Sequence, residues 1–70
     1  MTEEGLNKWF TYHAPRPDQT VRYERIRSVA KMFAQTIIEN TPQCADQTAA
    51  IRKVREAVMT ANAAIACEGE

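Results

Sequence analysis

The segment YHAPRPDQTVRYERIR, which is Tyr12–Arg27, decides how this chain is organised. Pro15 and Pro17 push the residues before them toward extended geometry, so a loop is predicted over 13–17. A helix is expected to follow at once, because Asp18 can accept hydrogen bonds from the free N–H groups of a first helical turn. The segment therefore predicts a proline loop that leads into a capped helix.

Two long amphipathic helices are predicted from this point onward, over Gln19–Asn40 and Ala45–Ala66. Asn40 can take the left-handed conformation that ends many helices, and Pro42 prevents further propagation. The short loop between the helices makes them antiparallel neighbours. Their apolar positions recur at spacings of three and four: Ile26, Val29, Ala30, Phe33, Ile37 and Ile38 in the first helix, and Ile51, Val54, Val58, Ala61 and Ile65 in the second. Asn62 lies near this seam and is expected to fix its register through a buried hydrogen bond.

A short helix is predicted before the proline loop, over Gly5–Tyr12, and residues 1–4 are expected to fray. Leu6, Trp9 and Phe10 share one face of this helix. So short a helix is not stable alone, so this face is expected to dock on the rest of the chain. Trp9 is accordingly interpreted as a packing residue rather than a platform for a ligand.

A chain of 70 residues forms at most one domain, so 1–70 is predicted to be a single all-α helical-hairpin domain. Folds of this size have marginal cores and are usually stabilised by disulfides, a metal or a partner subunit. Cys44, Cys67 and the single histidine, His13, form neither a disulfide framework nor a zinc motif. Both thiols are therefore expected to be free and reduced, and no metal or cofactor is predicted.

A homo-oligomer is the remaining means of stabilisation. Alanine recurs every seven residues at Ala50, Ala57 and Ala64. Such a row of small residues on one helix face lets another helix approach closely. The row is interpreted as a packing surface for the N-terminal helix or for another subunit. No apolar run is long enough to span a bilayer, so no membrane partner is expected.

The net charge is zero, but cations are concentrated around the proline loop. A neutral chain is a poor duplex binder, because duplex binding needs many phosphate contacts. A local basic patch beside aromatic rings suits a small anionic ligand, since rings stack on bases and guanidinium groups pair with phosphates. The same cations can equally form a solvated helix face, and composition leaves that alternative open. They are Lys8, Arg16, Arg22, Arg25, Arg27 and Lys31.

No catalytic constellation is present in the sequence. A glycine-rich phosphate loop and a carboxylate pair with a supporting base are both missing. His13 could act as a general base, but a lone loop histidine is more often a hydrogen-bonding surface residue. The chain is therefore predicted to be a binding protein and not an enzyme.

Two motifs occur at opposite ends of the predicted hairpin. The first is Tyr12-His13-x-Pro15-x-Pro17-x-Gln19-x-x-Arg22-Tyr23-x-x-Ile26-Arg27, and the second is Glu56-Ala57-Val58-Met59-x-Ala61-Asn62-Ala63-Ala64-Ile65-Ala66. Together they resemble the phage anti-CBASS sponges, small helical-hairpin proteins that sequester the cyclic oligonucleotide signals of bacterial immunity. The resemblance implies a homohexamer that holds cyclic dinucleotides, cyclic GMP-AMP among them, between protomers without hydrolysis. It also implies that the protein acts in the cytoplasm of the infected host.

The same resemblance implies which residues bind the ligand. Tyr12 is expected to stack on a base, and Arg27 is expected to meet a phosphate. His13, Arg16 and Lys31 are expected to contribute further ligand contacts.

Two alternatives accompany this interpretation. Some members of the family hold cyclic trinucleotides at a second site, through a basic residue just after the Asn-Ala-Ala-Ile-Ala run. This sequence departs from that pattern, because Cys67 and Glu68 stand there. A different class of function is a small oligomeric regulator that binds nucleic acid through the Arg22–Lys31 face.

Overall fold

The computed structural model describes residues 1–68, so the predicted domain boundary at residue 70 lies outside the described part. It contains three helices: α1 spans Glu3–Trp9, α2 spans Pro17–Asn40 and α3 spans Ala45–Ala66. No strand occurs in this range. The all-α architecture is confirmed, and α3 has the predicted bounds.

Apolar side chains hold α2 against α3. The amide of Gln19, near the start of α2, reaches the carbonyl of Ile65, near the end of α3, so the two helices are antiparallel as predicted. The seam consists mainly of half-buried residues, with Ile65 buried at 9% exposure: Ile26, Ala30 and Ile37 from α2, and Ile51, Val54, Val58, Ala61 and Ile65 from α3.

Side chains close the turn between α2 and α3. Asn40 is helical and Thr41 is extended, with φ −133° and ψ 153°, so the predicted left-handed ending at Asn40 is wrong. The last carbonyls of α2 are satisfied in another way: the Thr41 hydroxyl donates to the Ile37 carbonyl at 2.6 Å, and the Asn40 amide donates to that of Thr36 at 2.8 Å. Gln47 then donates to the Thr41 carbonyl at 3.2 Å and fastens the start of α3 to the turn.

The start of α2 also differs from the prediction. The helix begins at Pro17, and Arg16 before it is extended, with φ −87° and ψ 158°. Proline suits a first helical turn, because the N–H that it lacks would have no partner there. Asp18 therefore lies inside the first turn, and the prediction that it caps the helix is wrong. Its carboxylate instead pairs with Arg16 at 3.3 Å and with Arg22 at 3.5 Å.

Gln19 joins the two ends of the hairpin. It is 3% exposed and is the buried polar residue of the described part. Its Oε1 accepts a hydrogen bond from the Arg16 N–H at 3.0 Å. Its Nε2 donates to the Ile65 carbonyl at 3.1 Å and to Glu68 Oε1 at 2.8 Å. One side chain therefore connects the proline loop, the start of α2 and the end of α3.

Replacing Gln19 with leucine is expected to lower the free energy of unfolding by about 1–3 kcal/mol, because the Arg16 N–H and the Ile65 carbonyl each lose a hydrogen bond to the buried amide. Thermal unfolding followed by circular dichroism measures this change. Gln35→Leu is the matched control, since Gln35 is exposed and its side chain bonds to Glu39 one turn away on the same helix. A Gln19→Leu variant as stable as the wild type would show that the buried amide contributes nothing.

The first helix is shifted from its predicted position. It spans Glu3–Trp9 rather than Gly5–Tyr12, because Thr2 Oγ1 accepts a hydrogen bond from the Gly5 N–H at 3.0 Å and caps an earlier turn. Tyr12 consequently lies in the loop and not at the end of a helix.

The apolar face of α1 remains largely exposed within one chain. Trp9 is 57% and Phe10 is 80% exposed, so the predicted docking of this face is wrong for the single chain. α1 is held at its C-terminal end instead, where the Lys8 carbonyl accepts from the His13 ring at 2.7 Å and contacts the Cys67 thiol at 3.9 Å.

A single chain has little core of its own. Ile65 and Cys67 are the buried apolar residues between Met1 and Glu68, whereas Val29 and Phe33 are each 58% exposed. The accessible surface is 5803 Å², compared with about 4,400 Å² expected for a compact monomer of this mass. The radius of gyration is 15.1 Å, compared with about 11 Å expected. The chain therefore leaves more surface in water than a compact protein of its size.

Both cysteines are free, as predicted, with Cys44 exposed and Cys67 buried. Within residues 1–68, no helix is long and apolar enough to cross a membrane. The same range contains no group of three or more His, Cys, Asp or Glu residues placed to hold a metal ion.

Candidate functional site

A groove of about 480 Å³ lies between the proline loop, the first half of α2 and the end of α3. Its volume is within the range of small-molecule sites. We call it the His13–Arg27 groove after two of its residues. Its lining comprises His13, Pro15, Thr20, Tyr23, Glu24, Arg27, Asn62, Ala63 and Ala66.

Arg27 supplies a positive charge to this groove. It is exposed, and none of the ion pairs formed within residues 1–68 involves it. Its guanidinium group is therefore available to an anion, and such groups bind phosphate oxygens in pairs. Glu24, one turn earlier, lines the same groove and supplies a hydrogen-bond acceptor beside this donor.

Asn62 supplies an unsatisfied polar atom. Its Oδ1 is buried and has no hydrogen-bond partner. The predicted register-fixing hydrogen bond of Asn62 is therefore wrong for this chain. A buried acceptor without a partner costs about 1–3 kcal/mol, and a bound group with an N–H donor would remove that cost. Asn62 also lines the groove, so its oxygen could accept from a ligand there once the side chain turns toward the groove.

His13 forms the loop side of the groove and is half-buried. Its Nε2 donates to the Lys8 carbonyl at 2.7 Å. In that tautomer Nδ1 is an acceptor. The bond to Lys8 holds the ring on the groove wall, so His13 can contribute an acceptor at a fixed position.

The structure brings together two of the five predicted ligand-binding residues, His13 and Arg27. Tyr12, Arg16 and Lys31 do not line the same groove. Tyr12 is 85% exposed in the loop, and Lys31 is exposed on α2, one turn beyond Arg27. A single chain therefore presents only part of the predicted site.

Arg16 belongs to a different cluster. Its Nη2 donates to Glu68 Oε1 at 2.7 Å, and the same oxygen accepts from Gln19 Nε2 at 2.8 Å and from Arg22 Nη2 at 3.0 Å. The Gln19 and Arg22 hydrogen bonds hold the pKa of the Glu68 carboxyl below its ordinary value. The hydrogen bond from Arg16 likewise lowers the pKa of Asp18. Both carboxylates are therefore charged at neutral pH, and two of the cations near the loop are engaged by the chain itself.

Several lining residues were not predicted from the sequence. Thr20, Tyr23 and Glu24 share one face of α2 with the predicted Arg27, because Thr20 lies three and four positions before Tyr23 and Glu24, and these lie four and three positions before Arg27. That spacing could have identified these residues as one surface from the sequence alone. Asn62 had no comparable signal, because its place at the seam suggested a structural role.

The chain was also compared with known proteins. The model of the family described as Acb2/Tad1, hairpin domain, matches residues 2–66. No curated protein and no solved structure matches the chain. The family match includes every residue of the His13–Arg27 groove and both long helices.

Proposed function

The chain belongs to the Acb2/Tad1 hairpin family, the anti-CBASS cyclic-oligonucleotide sponges, and on that premise we propose that it sequesters cyclic dinucleotides such as cyclic GMP-AMP. It binds the signal without breaking it and lowers the free concentration that activates CBASS. The place of action is the cytoplasm of the infected bacterium. The observation that carries this proposal is the family match over residues 2–66.

The chemistry of the His13–Arg27 groove supports this choice of ligand. A cyclic dinucleotide presents phosphates, base N–H groups and flat base surfaces. Arg27 can neutralise a phosphate, and Asn62 Oδ1 can accept from a base N–H once the side chain turns toward the groove. The Tyr23 ring on the same wall offers a surface for base contacts. Each ligand group therefore has a partner of matching chemistry in the groove.

The proposal includes a homo-oligomer, and the apolar surface of the hairpin supports it. A second groove, of about 680 Å³, has an almost wholly apolar wall that includes Val29, Phe33, Ala50 and Ala57. The surface in excess of a compact monomer is roughly 1,400 Å², whereas a standard interface buries about 800 Å² on each partner. The excess therefore covers one standard interface and most of a second, which supports contacts with more than one neighbour, as a closed ring such as a hexamer has. We call this surface the Phe33 groove.

Assembly would also complete the ligand site. Tyr12 lies outside the His13–Arg27 groove of its own chain and exposes 85% of its surface. In the proposed hexamer a neighbour's Tyr12 covers that groove and stacks on a base of the ligand. Arg16 and Lys31 then stand at the rim as further cations. Cyclic trinucleotides are not part of this proposal, because Cys67 and Glu68 stand just after α3, where that second site would need a basic residue.

The experiment that tests the function is ligand depletion followed by recovery. Cyclic GMP-AMP is mixed with a molar excess of protein, and the free ligand is measured after ultrafiltration. We expect the free ligand to fall at least tenfold, and heating the complex to return it unchanged by chromatography. Hydrolysis products would indicate an enzyme. Undepleted ligand together with a shift of duplex DNA would favour the nucleic-acid regulator, and either result would contradict the proposal.

A further inference from the structure

Glu24 places a carboxylate in the His13–Arg27 groove, where an anionic ligand is expected. It lines the groove from α2, three residues before Arg27. Its side chain is exposed, and none of the ion pairs or side-chain hydrogen bonds formed within residues 1–68 involves it. The carboxylate is therefore available to a ligand in the same way as the Arg27 guanidinium group.

A carboxylate in this position is unfavourable for a ligand that offers only phosphates. Among the described residues that line the groove, Arg27 supplies the guanidinium group and Glu24 the carboxylate. Residues three positions apart on a helix have Cβ atoms about 5–6 Å apart, so a phosphate attracted by Arg27 is also repelled by Glu24. Glu24 therefore weakens phosphate binding unless the ligand brings hydrogen-bond donors to the carboxylate.

The bases of a cyclic dinucleotide differ in the donors that they bring. A carboxylate has two acceptor oxygens and no donor, so it fits best a base edge with two neighbouring N–H donors. Unpaired bases are recognised on their Watson–Crick edges, and guanine presents N1–H beside its 2-amino group there. Adenine and cytosine present an amino group beside a ring nitrogen acceptor, and uracil presents one N–H between two carbonyl oxygens. Guanine is therefore the common base whose edge matches the carboxylate.

We propose that Glu24 makes the His13–Arg27 groove selective for guanine, by accepting hydrogen bonds from N1–H and the 2-amino group while Arg27 holds a phosphate. This selectivity rests on the proposed function, since it requires that the groove binds a cyclic dinucleotide. It adds that guanine-containing signals bind more tightly than cyclic di-AMP. Cyclic GMP-AMP meets the requirement with its single guanine.

Calorimetric titration with cyclic di-GMP and cyclic di-AMP tests the selectivity, because these ligands share their phosphates and sugars and differ only in their bases. We expect the wild type to bind cyclic di-GMP at least tenfold more tightly, since a site built to hydrogen-bond an N–H group rejects an analogue that lacks it. Glu24→Gln keeps the size of the side chain, replaces one acceptor with a donor and removes the charge. It should weaken cyclic di-GMP at least tenfold but should not weaken cyclic di-AMP, because an amide can pair with the amino group and N1 of adenine. An unchanged ratio of the two affinities would overturn the proposal.

Cyclic di-IMP identifies the contact on the base, because hypoxanthine lacks only the 2-amino group of guanine. The wild type should bind it several-fold less tightly than cyclic di-GMP. The difference between these two ligands should be smaller in Glu24→Gln, as expected when the side chain and the amino group are coupled. The same difference in both proteins would show that another residue recognises the amino group, and it would contradict the proposal.

Glu56→Gln is the matched control for a lost carboxylate. Glu56 is exposed on α3 and lines neither the His13–Arg27 groove nor the Phe33 groove, so both affinities should equal those of the wild type. Equal weakening of cyclic di-GMP and cyclic di-AMP by Glu24→Gln would assign Glu24 to a ribose hydroxyl, which both ligands contain. Loss of both ligands with a lower mass in light scattering would assign it to a contact between subunits. Either result would overturn the selectivity and leave the proposed function intact.

Failure of the proposed function gives a different result. If the wild type binds none of cyclic di-GMP, cyclic di-AMP and cyclic GMP-AMP, the proposed function is wrong and the selectivity is wrong with it. If the wild type binds all three with equal affinity, only the selectivity is wrong.

Discussion

Replacing Phe33 with aspartate is expected to dissociate the proposed oligomer into monomers at micromolar concentration. Phe33 is 58% exposed in the single chain and lines the Phe33 groove beside Val29 and Ala57. An interface formed there would bury the carboxylate among apolar side chains with no partner, at a cost of several kcal/mol. In a closed assembly the cost recurs at every protomer, so the loss should be complete.

Light scattering coupled to size-exclusion chromatography measures the mass directly. Met32→Asp is the matched control, because Met32 is the adjacent residue on α2 and is 68% exposed, but it does not line the Phe33 groove. Met32→Asp should keep the wild-type mass. A Phe33→Asp variant with unchanged mass would place the interface elsewhere, and a monomeric wild type would remove the proposed site between subunits.

Replacing Arg27 is expected to produce the largest loss of ligand affinity. Arg27→Ala should weaken cyclic GMP-AMP binding at least tenfold, or about 1.4 kcal/mol, since a charge-assisted contact to phosphate is lost. Arg27→Glu should weaken it at least a hundredfold, or about 2.7 kcal/mol, because it adds repulsion beside Glu24. Tyr12→Ala should also cost at least tenfold through lost base stacking.

Calorimetric titration of each variant provides the comparison. Neither Arg27 nor Tyr12 lines the Phe33 groove, so all three variants should retain the wild-type mass. Arg52→Ala is the control for a lost cation, because Arg52 is exposed on α3 and lines neither the His13–Arg27 groove nor the Phe33 groove. If the Arg27 and Tyr12 variants assemble and bind normally, the ligand site lies elsewhere.

Local sequence patterns predicted the long helices well and their ends less well. The bounds of α3 follow from a continuous apolar period between a short turn and the end of the alanine-rich run. The start of α2 was placed too late, because Asp18 is a good capping residue and Pro17 was assigned to the loop. Proline is tolerated in the first turn of a helix, so α2 can begin at Pro17, as observed.

Contacts between distant residues could not be predicted from the sequence. Gln19 and Glu68 are 49 positions apart, and nothing local marks either as the other's partner. The exposure of Trp9 and Phe33 was missed for a related reason: apolar periodicity identifies a face that avoids water, but not which surface covers it. Arg27 and His13 were predicted from the family resemblance, and their common groove depends on how the helices pack.

The hairpin has its turn at one end and Gln19 at the other, and this arrangement has a consequence for the order of folding. Contacts close in sequence form first, so α2 and α3 are expected to pair from the turn outward. The end fastened by Gln19 then closes last and opens most readily. The His13–Arg27 groove lies at that end, so a ligand bound there holds the hairpin shut and shifts the equilibrium away from open forms. Proteases of the cell cleave opened chains, so the protein with bound ligand should be degraded more slowly than the ligand-free protein.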